Sequence, residues 1–428
     1  MPELILQEPT IDGATVWCNY SYGHERYTHR FAFPAPLDDD DPVVRRLLRW
    51  LSAVHALYLC NFAYFTELRA EFPLDDAEKD FLEKLAFNGM AEFRQVNHIP
   101  MATKTLYSGR ADTAAPAPTN SVPRHGALLL NGGGKDGCAS AILLDQANVP
   151  FTWFMLNSSV AQDSVAVASG KSSLKVKRLL DQRRADGPYH GHCPTSAAIA
   201  LCAVIAAYVA GLEYVVASNE QSANEGNSEV EGVMVNHQYS KSLEFELDFA
   251  SLLDRYSVGV TYFSLLRPLH ELQIVKIVGE NPRFIGTFTS CNHGFKRGEW
   301  CLQCAKCAFV ALTFTALNPA ATARIWGDEL VINRPALTPF LKELLDPNVP
   351  KPLECVGTLQ ECQLAAGLIL QGPLALKLTP GLAQLFAAHS LPAAGHTAQT
   401  LLHTLSDQHN IPKAFQSVLG SARLMLGL

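Results

Sequence analysis

One run of seven residues constrains the fold of this chain more than any other stretch: Asn131-Gly132-Gly133-Gly134-Lys135-Asp136-Gly137. It follows the apolar segment 127–130, which is short enough to be a buried strand, and precedes segment 138–145, which has the pattern of the first turns of a helix. A strand, a glycine turn and a helix direct backbone N–H groups and a helix N-terminus toward an anion. Because consecutive glycines permit positive φ and close approach of a ligand, the run predicts a phosphate-binding loop.

The glycine run fits neither of two common nucleotide motifs. It lacks the spacer and the Gly-Lys-Ser/Thr ending of a Walker A loop, and Asp136 stands where a dinucleotide fingerprint needs a small residue. It resembles instead the Ser-Gly-Gly-x-Asp-Ser pyrophosphate loop (PP-loop) of the ATP pyrophosphatases, which cleave ATP to AMP and pyrophosphate. Gly137 departs from that pattern, because it stands where the family has Ser. Without its neighbours, the run could also be a tight turn that binds nothing.

The composition limits the classes of protein that the chain can belong to. A length of 428 residues predicts two or three domains, and a hydrophobic content of 48% provides ample core material. The net charge of −7 gives no basic footprint for a nucleic acid, so no nucleic-acid partner is expected. The oligomeric state is left open.

The sequence also predicts the compartment. The N-terminus has no basic segment followed by a long apolar core, so no secretory signal is expected. The apolar segment 197–212 is interpreted as a buried helix and not as a membrane span. Eleven cysteines without a signal peptide favour free thiols or metal ligands in a reducing compartment. A cytoplasmic protein without membrane insertion is therefore predicted.

Three regions are predicted along the chain. Residues 1–122 are expected to form an α+β domain that ends in a Pro/Ser/Thr-rich linker at 102–124, with helices over 43–68 and from about 76 to 96. Residues 123–315 are expected to form the ATP-binding domain, and residues 316–428 a mainly helical region that serves as a cap, as a substrate domain or as an oligomerisation surface.

The central region has the strand–helix alternation of an α/β fold. Strands are predicted at 127–130, 151–156, 214–217, 261–263 and 284–287. Helices are predicted at 137–146, 176–184, 195–210, 241–254, 268–277 and 308–317. This order predicts a doubly wound parallel sheet with its ligand at the carboxyl ends of the strands, and the loop resemblance implies the fold of the PP-loop ATP pyrophosphatases.

A second polar segment, 218–227, follows a predicted strand and is expected at the same edge of the sheet. It supplies amide donors and carboxylates, and Arg267 follows the next strand as a candidate clamp for phosphate or carboxylate. The glycines and Lys135 are candidates for contacting the polyphosphate, and Asp136 and Glu225 for holding Mg²⁺. The remaining candidate nucleotide-binding residues are Asn157, Asn219, Glu220, Asn224 and Asn227.

Together with the segments around His237, Arg267 and 354–358, the loop and the polar segment resemble the UDP-N-acetylmuramoyl-L-alanyl-L-glutamate epimerases of the MurL type. The resemblance covers about 126–307 and extends to 354–358. It implies an enzyme of peptidoglycan precursor synthesis that uses ATP and Mg²⁺ to adenylate the α-carboxylate of a terminal L-glutamate. A base then removes the Cα proton, and reprotonation followed by hydrolysis leaves D-glutamate.

The chemistry requires a base, for which His237 is the leading candidate, followed by Lys241, His293 and Cys355. Lys135 and Asp136 are expected to assist the reaction at the loop. No lysine has a local signature for pyridoxal phosphate, so that cofactor is not expected. Two alternatives are kept: another PP-loop enzyme that forms an amide, a nitrile or a thiolated base, and a zinc-stabilised nucleotide-binding module without catalysis.

Four cysteines form the second motif, Cys291, Cys301, Cys304 and Cys307, with the spacing C-x₉-C-x₂-C-x₂-C. The short C-x₂-C turns can deliver several sulfurs to one ion, so a tetrahedral structural Zn²⁺ is predicted. The spacing also resembles the zinc site of the 7-cyano-7-deazaguanine synthases. Unmetallated thiols and a redox pair are the alternatives.

Overall fold

The computed structural model describes residues 3–111 and 124–428, and within them the chain forms a mixed α/β fold. Residues 112–123, about half of the linker predicted at 102–124, lie outside the described residues. The linker prediction is wrong for 106–110, which form a strand. The strands are β1 (Glu3–Leu6), β2 (Thr10–Asp12), β3 (Thr15–Tyr22), β4 (Glu25–Ala32), β5 (Glu67–Pro73), β6 (Leu106–Arg110), β7 (Ala127–Leu130), β8 (Phe151–Leu156), β9 (Ser173–Leu179), β10 (Tyr214–Ala217), β11 (Ser228–Val230), β12 (Val233–Val235) and β13 (Thr261–Ser264).

Eleven of the described strands join in one large sheet, in the order β13-β10-β7-β8-β9-β4-β3-β1-β5-β6, with β2 paired to β3. From β13 to β9 all neighbours are parallel, which confirms a parallel sheet in the central region. The pair β9 and β4 is antiparallel and connects this block to the N-terminal strands. The sheet therefore runs without interruption across the domain boundary suggested by the sequence, and the division into domains stays a prediction.

Two predicted elements of the central region are wrong. In place of the helix predicted at 176–184, strand β9 continues to Leu179 and a short 3-10 turn begins at Gln182. The strand forms because its backbone pairs with β8 on one side and β4 on the other. The strand predicted at 284–287 is a series of turns, in which Gly286 has φ +86° and the Thr287 hydroxyl donates to the Phe284 carbonyl at 2.9 Å. A left-handed residue in its middle prevents segment 284–287 from extending.

The helices begin at local signals that the sequence carries. Asp41 accepts hydrogen bonds from the first turn after it, and the capping boxes Asp75–Glu78 and Thr358–Glu361 start two further helices. The α-helices are α1 (Pro42–Ala56), α2 (Asp76–Gly89), α3 (Ala91–Val96), α4 (Lys135–Gln146), α5 (Val160–Ser169), α6 (Thr195–Val209), α7 (Leu243–Arg255), α8 (Glu271–Gly279), α9 (Ala305–Leu317), α10 (Pro319–Trp326), α11 (Thr338–Leu345), α12 (Leu359–Gln371), α13 (Pro380–His389), α14 (His396–His403) and α15 (Gln416–Leu426).

Helices cover both faces of the parallel block and create two cores. Leu128 of β7 points into the core shared with α1, α6 and α7, whereas Leu129 points into the core shared with α4, α8 and α9. The mainly helical C-terminal region packs on this second core, and α15 contacts α4 directly. Helix α6 is a buried core helix, as predicted, and no helix in the described ranges is long and apolar enough to cross a membrane.

Candidate functional site

A cleft of about 990 Å³ opens at the carboxyl ends of the parallel strands. Its floor includes Leu130, Leu156 and Ala217, the last residues of β7, β8 and β10. The chain proceeds from β7 through β8 to β9 on one side and returns to place β10 on the other side of β7. The cleft therefore lies where the strand order reverses, which is where open α/β sheets bind their ligands.

The glycine run forms a tight turn between β7 and α4 at the edge of this cleft. Gly133 has φ +72°, and a Cβ there would lie 2.8 Å from the Ala161 Cβ. A Cβ on Gly132 would meet nothing within 4 Å, so the turn is packed behind Gly133 and open to the cleft at Gly132. Gly134 is the N-cap of α4 and has no side chain that could cap the helix. This arrangement fits a phosphate group.

Two segments hold the glycine turn in place. The amide and carbonyl of Asn131 pair with Gln162 on α5, and the Gly133 N–H donates to the Asn131 Oδ1 at 2.8 Å. On the other side, the Thr289 N–H donates to the Gly133 carbonyl at 2.8 Å, and the Lys135 N–H donates to the Ser290 hydroxyl at 3.1 Å. The turn is thus fixed before any ligand binds.

Lys135 does not line the cleft. Its side chain is fully buried behind the turn and pairs with both Asp136 and Glu271. Burial and the neighbouring Asp136 raise the pKa of Glu271 to about 8, although Lys135 opposes that shift. The same lysine lowers the pKa of Asp136 against the effect of burial. Among the described residues that line the cleft, the loop therefore contributes the Asp136 carboxylate. The Lys135 ammonium lies behind the turn and offsets the negative charge of that carboxylate.

The lining of the cleft is strongly positive. The described residues contribute one carboxylate, Asp136, and the basic side chains Arg178, Arg184, Lys241, Lys296 and Lys306. This excess occurs in a chain of net charge −7, so the positive charge is concentrated at the site. A cleft lined by one sign of charge focuses the field and attracts ligands of the opposite sign. Its chemistry suits a ligand with several phosphates or carboxylates.

Cys355, which belongs to the loop between α11 and α12, also lines the cleft. The Lys241 ammonium lies 3.1 Å from its Sγ, and His237 forms a hydrogen bond with it. The Nδ1 of His237 lies 2.5 Å from the Oε2 of Glu92. Lys241 and Cys355 were both base candidates, and the structure brings them together with His237.

The ionisation of these groups is strongly coupled. Burial opposes the charged form of Cys355, but the Lys241 ammonium and the hydrogen bond with His237 lower its pKa to about 6. Burial also opposes the charged form of His237, but its hydrogen bonds with Cys355 and Glu92 raise its pKa to about 9. At neutral pH the pair is therefore a thiolate beside an imidazolium.

The other predicted site residues lie in several different places, some in the cleft lining and some buried behind it. Asn219 and Asn157 line the cleft, and the Asn157 side chain also hydrogen-bonds to the backbone of Arg178. Glu220 is buried, and its carbonyl accepts from the Arg267 guanidinium at 2.9 Å. Arg267 itself is fully buried and pairs with Glu246 at 3.0 Å, so it braces the site from behind.

The remaining polar residues of segment 218–227 make structural contacts. The Asn224 Oδ1 accepts from the first N–H of α7, and Asn227 bonds to the backbone of Pro352 and His237. Glu225 pairs with Lys351 at 2.7 Å. These contacts hold the Cys355 loop and the start of α7 beside each other. The predicted nucleotide and Mg²⁺ roles of these residues stay predictions.

The four cysteines come together next to the cleft, with their sulfurs within 4.8 Å of one another. The Sγ atoms of Cys301 and Cys307 are 3.8 Å apart, and the Gly294 N–H donates to the Cys291 Sγ at 3.1 Å. The Nδ1 of His293, another base candidate, lies 3.7 Å from the Cys301 Sγ. This geometry can hold one metal ion.

Glu92, His192 and His237 are also close enough to share an ion. However, His237 already bonds to Glu92 and Cys355, and burial and the charge of His237 lower the pKa of His192 to about 4. We therefore interpret the group as a hydrogen-bonded chain that ends at Cys355, with a neutral His192 packed against the His237 ring at a centroid distance of 4.4 Å.

Several residues of the site were not identified from the sequence: the cleft residues Arg178, Arg184, Lys296 and Lys306, and Glu92, which bonds to His237. Arg178 lies on β9, part of which is predicted as a helix, and Glu92 lies on α3, in the N-terminal region where no site residue is predicted. Lys306 stands between two of the cysteines, where the metal motif masked it. Correct assignment of β9 as a strand of the central sheet would have placed Arg178 at this edge.

Comparison with known proteins identifies the family. The family model described as the MurL N-terminal domain matches residues 2–265, and the model described as the MurL C-terminal domain matches residues 287–397. A relative from Micromonospora sp., named UDP-N-acetyl-alpha-D-muramoyl-L-alanyl-L-glutamate epimerase, is 31% identical over 82% of this chain and 81% of its own length.

A relative with the same name from Salinispora tropica is 31% identical over 81% of this chain and 79% of its own length. Another, from Xanthomonas oryzae pv. oryzae, is 32% identical over 70% of this chain and 68% of its own length. No solved structure matches the chain. The two family models together span both sides of the cleft, from the glycine turn to the Cys355 loop. The chain therefore belongs to the MurL epimerase family and is an isomerase.

Proposed function

We propose that this protein converts the terminal L-glutamate of UDP-MurNAc-L-Ala-L-Glu to D-glutamate during synthesis of peptidoglycan precursors. ATP is cleaved to AMP and pyrophosphate while the α-carboxylate is activated as an acyl-adenylate. The names of three relatives, each aligned over at least 68% of its own length, support the substrate and the change of configuration.

One observation carries the ATP-dependent part of the proposal: the glycine turn and the Cys355 thiol lie in the same cleft. Gly132 and the N-terminus of α4 would hold the phosphates of a nucleotide, and the basic residues of the same cleft would hold the acyl group. Gly132 is open where a side chain would project, which supports phosphate binding at the turn. The fold proposed for this unit is that of the PP-loop ATP pyrophosphatases.

The chain's own residues supply the electrostatic part of the reaction. Among the described residues that line the cleft, Asp136 contributes the one carboxylate. We propose it as the ligand of Mg²⁺, which would shield the negative charge of the phosphates. Lys241 and Lys306 face the region beside Cys355, where negative charge develops on the acyl group when Cα loses its proton. Adenylation removes the carboxylate charge that would otherwise oppose formation of a carbanion.

We also propose that the four cysteines hold a structural Zn²⁺. With Zn–S bonds of about 2.3 Å, tetrahedral sulfurs lie about 3.8 Å apart. The Cys301–Cys307 separation of 3.8 Å and the N–H groups directed at the sulfurs support this assignment. The eleven cysteines are free of disulfides, which supports a cytoplasmic location.

The function is tested by incubating the purified protein with ATP, Mg²⁺ and UDP-MurNAc-L-Ala-L-Glu. Pyrophosphate, AMP and the configuration of the terminal glutamate are measured in the same reaction. We expect pyrophosphate and AMP in equal amounts, and D-glutamate that depends on ATP. D-glutamate formed equally well without ATP would refute the adenylation step, and pyrophosphate release without D-glutamate would favour another acyl-activating enzyme.

A further inference from the structure

The Cys355 thiol differs in its surroundings from the other cysteines. Most of the other cysteines are buried in cores or belong to the four-cysteine cluster, whereas Cys355 is partly exposed and lines the cleft. Its loop is held at two points by Lys306, whose ammonium donates to the Cys355 carbonyl and whose backbone N–H donates to the Glu354 carboxylate at 2.8 Å. The position of the sulfur is therefore set by the fold.

Three charged groups act on this sulfur, each from a different element. Lys241 precedes α7, His237 follows β12, and Lys306 lies in the first turn of α9. Glu92 on α3 contacts the far side of His237 and holds the imidazole in a fixed orientation. A thiolate surrounded in this way is the form of cysteine that accepts protons.

We propose that Cys355 removes the Cα proton of the activated glutamyl residue, and that Lys241, His237 and Glu92 are positioning residues that keep its sulfur ionised and correctly oriented. This inference rests on the proposed function, because Cα is acidic enough only after the carboxylate is activated. It also gives His237, the leading base candidate from the sequence, a different role, since His237 is not among the described residues that line the cleft.

The proposed step is balanced without a redox partner. The Cα–H bond breaks, the proton forms an S–H bond, and the electron pair moves onto the acyl carbonyl oxygen. Cα then takes a proton from water on its opposite face, which inverts the configuration. The thiol returns its proton to solvent, so one proton enters and one leaves for each inversion.

Two partial reactions separate this role from binding. Wild-type protein, Cys355→Ala and Cys355→Ser are incubated in D₂O with ATP, Mg²⁺ and UDP-MurNAc-L-Ala-L-Glu. Pyrophosphate release and deuterium at Cα are measured separately. The matched control is Cys362→Ala, which changes a fully buried cysteine of α12 outside the cleft.

We expect both Cys355 variants to release pyrophosphate within about threefold of wild type while deuterium incorporation falls at least about 100-fold. Cys362→Ala should keep both rates within about twofold. Retained exchange in Cys355→Ala would overturn the inference, and loss of both reactions would assign Cys355 to binding and overturn it as well. Absence of pyrophosphate in wild type would instead refute the proposed function.

A second readout needs no turnover. The rate of iodoacetamide alkylation at Cys355 is followed against pH by peptide mass spectrometry in protein without substrate, for wild type and Glu92→Gln. We expect a midpoint near pH 6 in wild type and a higher midpoint in the variant. A wild-type midpoint of 8.5 or above would overturn the proposal, as would a thioester mass on Cys355 during turnover, which would make the sulfur a nucleophile.

Discussion

Gly132 and Gly133 are adjacent, yet substitution by alanine should affect a different property of the protein at each position. At Gly133 the backbone has φ +72°, and a Cβ would lie 2.8 Å from the Ala161 Cβ and 2.9 Å from the Gln162 nitrogen. At Gly132 the position of a Cβ is open. Gly133→Ala should therefore damage the fold, whereas Gly132→Ala should damage only the approach of a phosphate.

The size of the effect follows from these contacts. A left-handed alanine costs about 1–2 kcal/mol, and forcing α5 away from the new methyl group costs about 1–3 kcal/mol. At about 2.1 cal/mol/K per residue for 428 residues, a loss of about 3 kcal/mol lowers Tm by about 3 °C. Gly132→Ala should leave Tm within about 1 °C but weaken nucleotide binding about tenfold or more, since the methyl group fills the space that phosphate oxygens would occupy.

Thermal unfolding measures the first effect, and calorimetric titration with α,β-methylene-ATP, which resists cleavage between the α- and β-phosphates, measures the second. An unchanged Kd in Gly132→Ala would show that phosphate does not bind at the turn, and the ATP-binding proposal would fail. An unchanged Tm in Gly133→Ala would show that the turn does not pack on α5 as described.

Three further predictions concern the rest of the site. Gly137→Ser should leave Tm unchanged and tighten α,β-methylene-ATP binding about fivefold, because the nearest atom to its new Cβ is 3.7 Å away and the hydroxyl adds one hydrogen bond; weaker binding in a titration would contradict this. Lys241→Met should raise the pKa of Cys355 from about 6 toward its ordinary value, because the ammonium beside the sulfur is lost. Alkylation of Cys355 at pH 7, measured by mass spectrometry, should then slow between about 10-fold and 90-fold. The charge-matched surface control Lys342→Met should not change the alkylation rate. Cys301→Ser should reduce bound zinc from about one ion per chain to near none in a metal assay and lower Tm, and a metal-free wild type would refute the site.

The parallel sheet and its loop could be predicted because their signals are local. The run from 127 to 137 has the apolar strand, the glycines and the helix start in one uninterrupted stretch, and each appears where the sequence places it. Elements 151–156, 214–217 and 261–263 are short apolar strands for the same reason. A loop at the carboxyl end of a buried strand then fixes the edge on which the ligand binds.

The rest depends on contacts between distant segments. Strand β9 has three basic residues, Lys175, Lys177 and Arg178, and becomes a strand because β4, about 150 residues earlier, pairs with its edge. The group formed by Glu92, His237 and Cys355 draws on three elements, and no spacing in the sequence relates them. Arg267 looked like a phosphate clamp, but its partner Glu246 comes from α7 and is found only in the folded chain.

The segment 289–307 connects the two halves of the proposed reaction. At one end Thr289 and Ser290 hold the glycine turn, and at the other end Lys306 holds the Cys355 loop. All four cysteines lie within this segment, so a bound ion would fix the distance between the phosphate site and the Cys355 sulfur. Loss of the metal should then slow pyrophosphate release and Cα exchange together, whereas a change at Cys355 should slow exchange alone. The ratio of the two rates therefore distinguishes a misplaced site from a missing base.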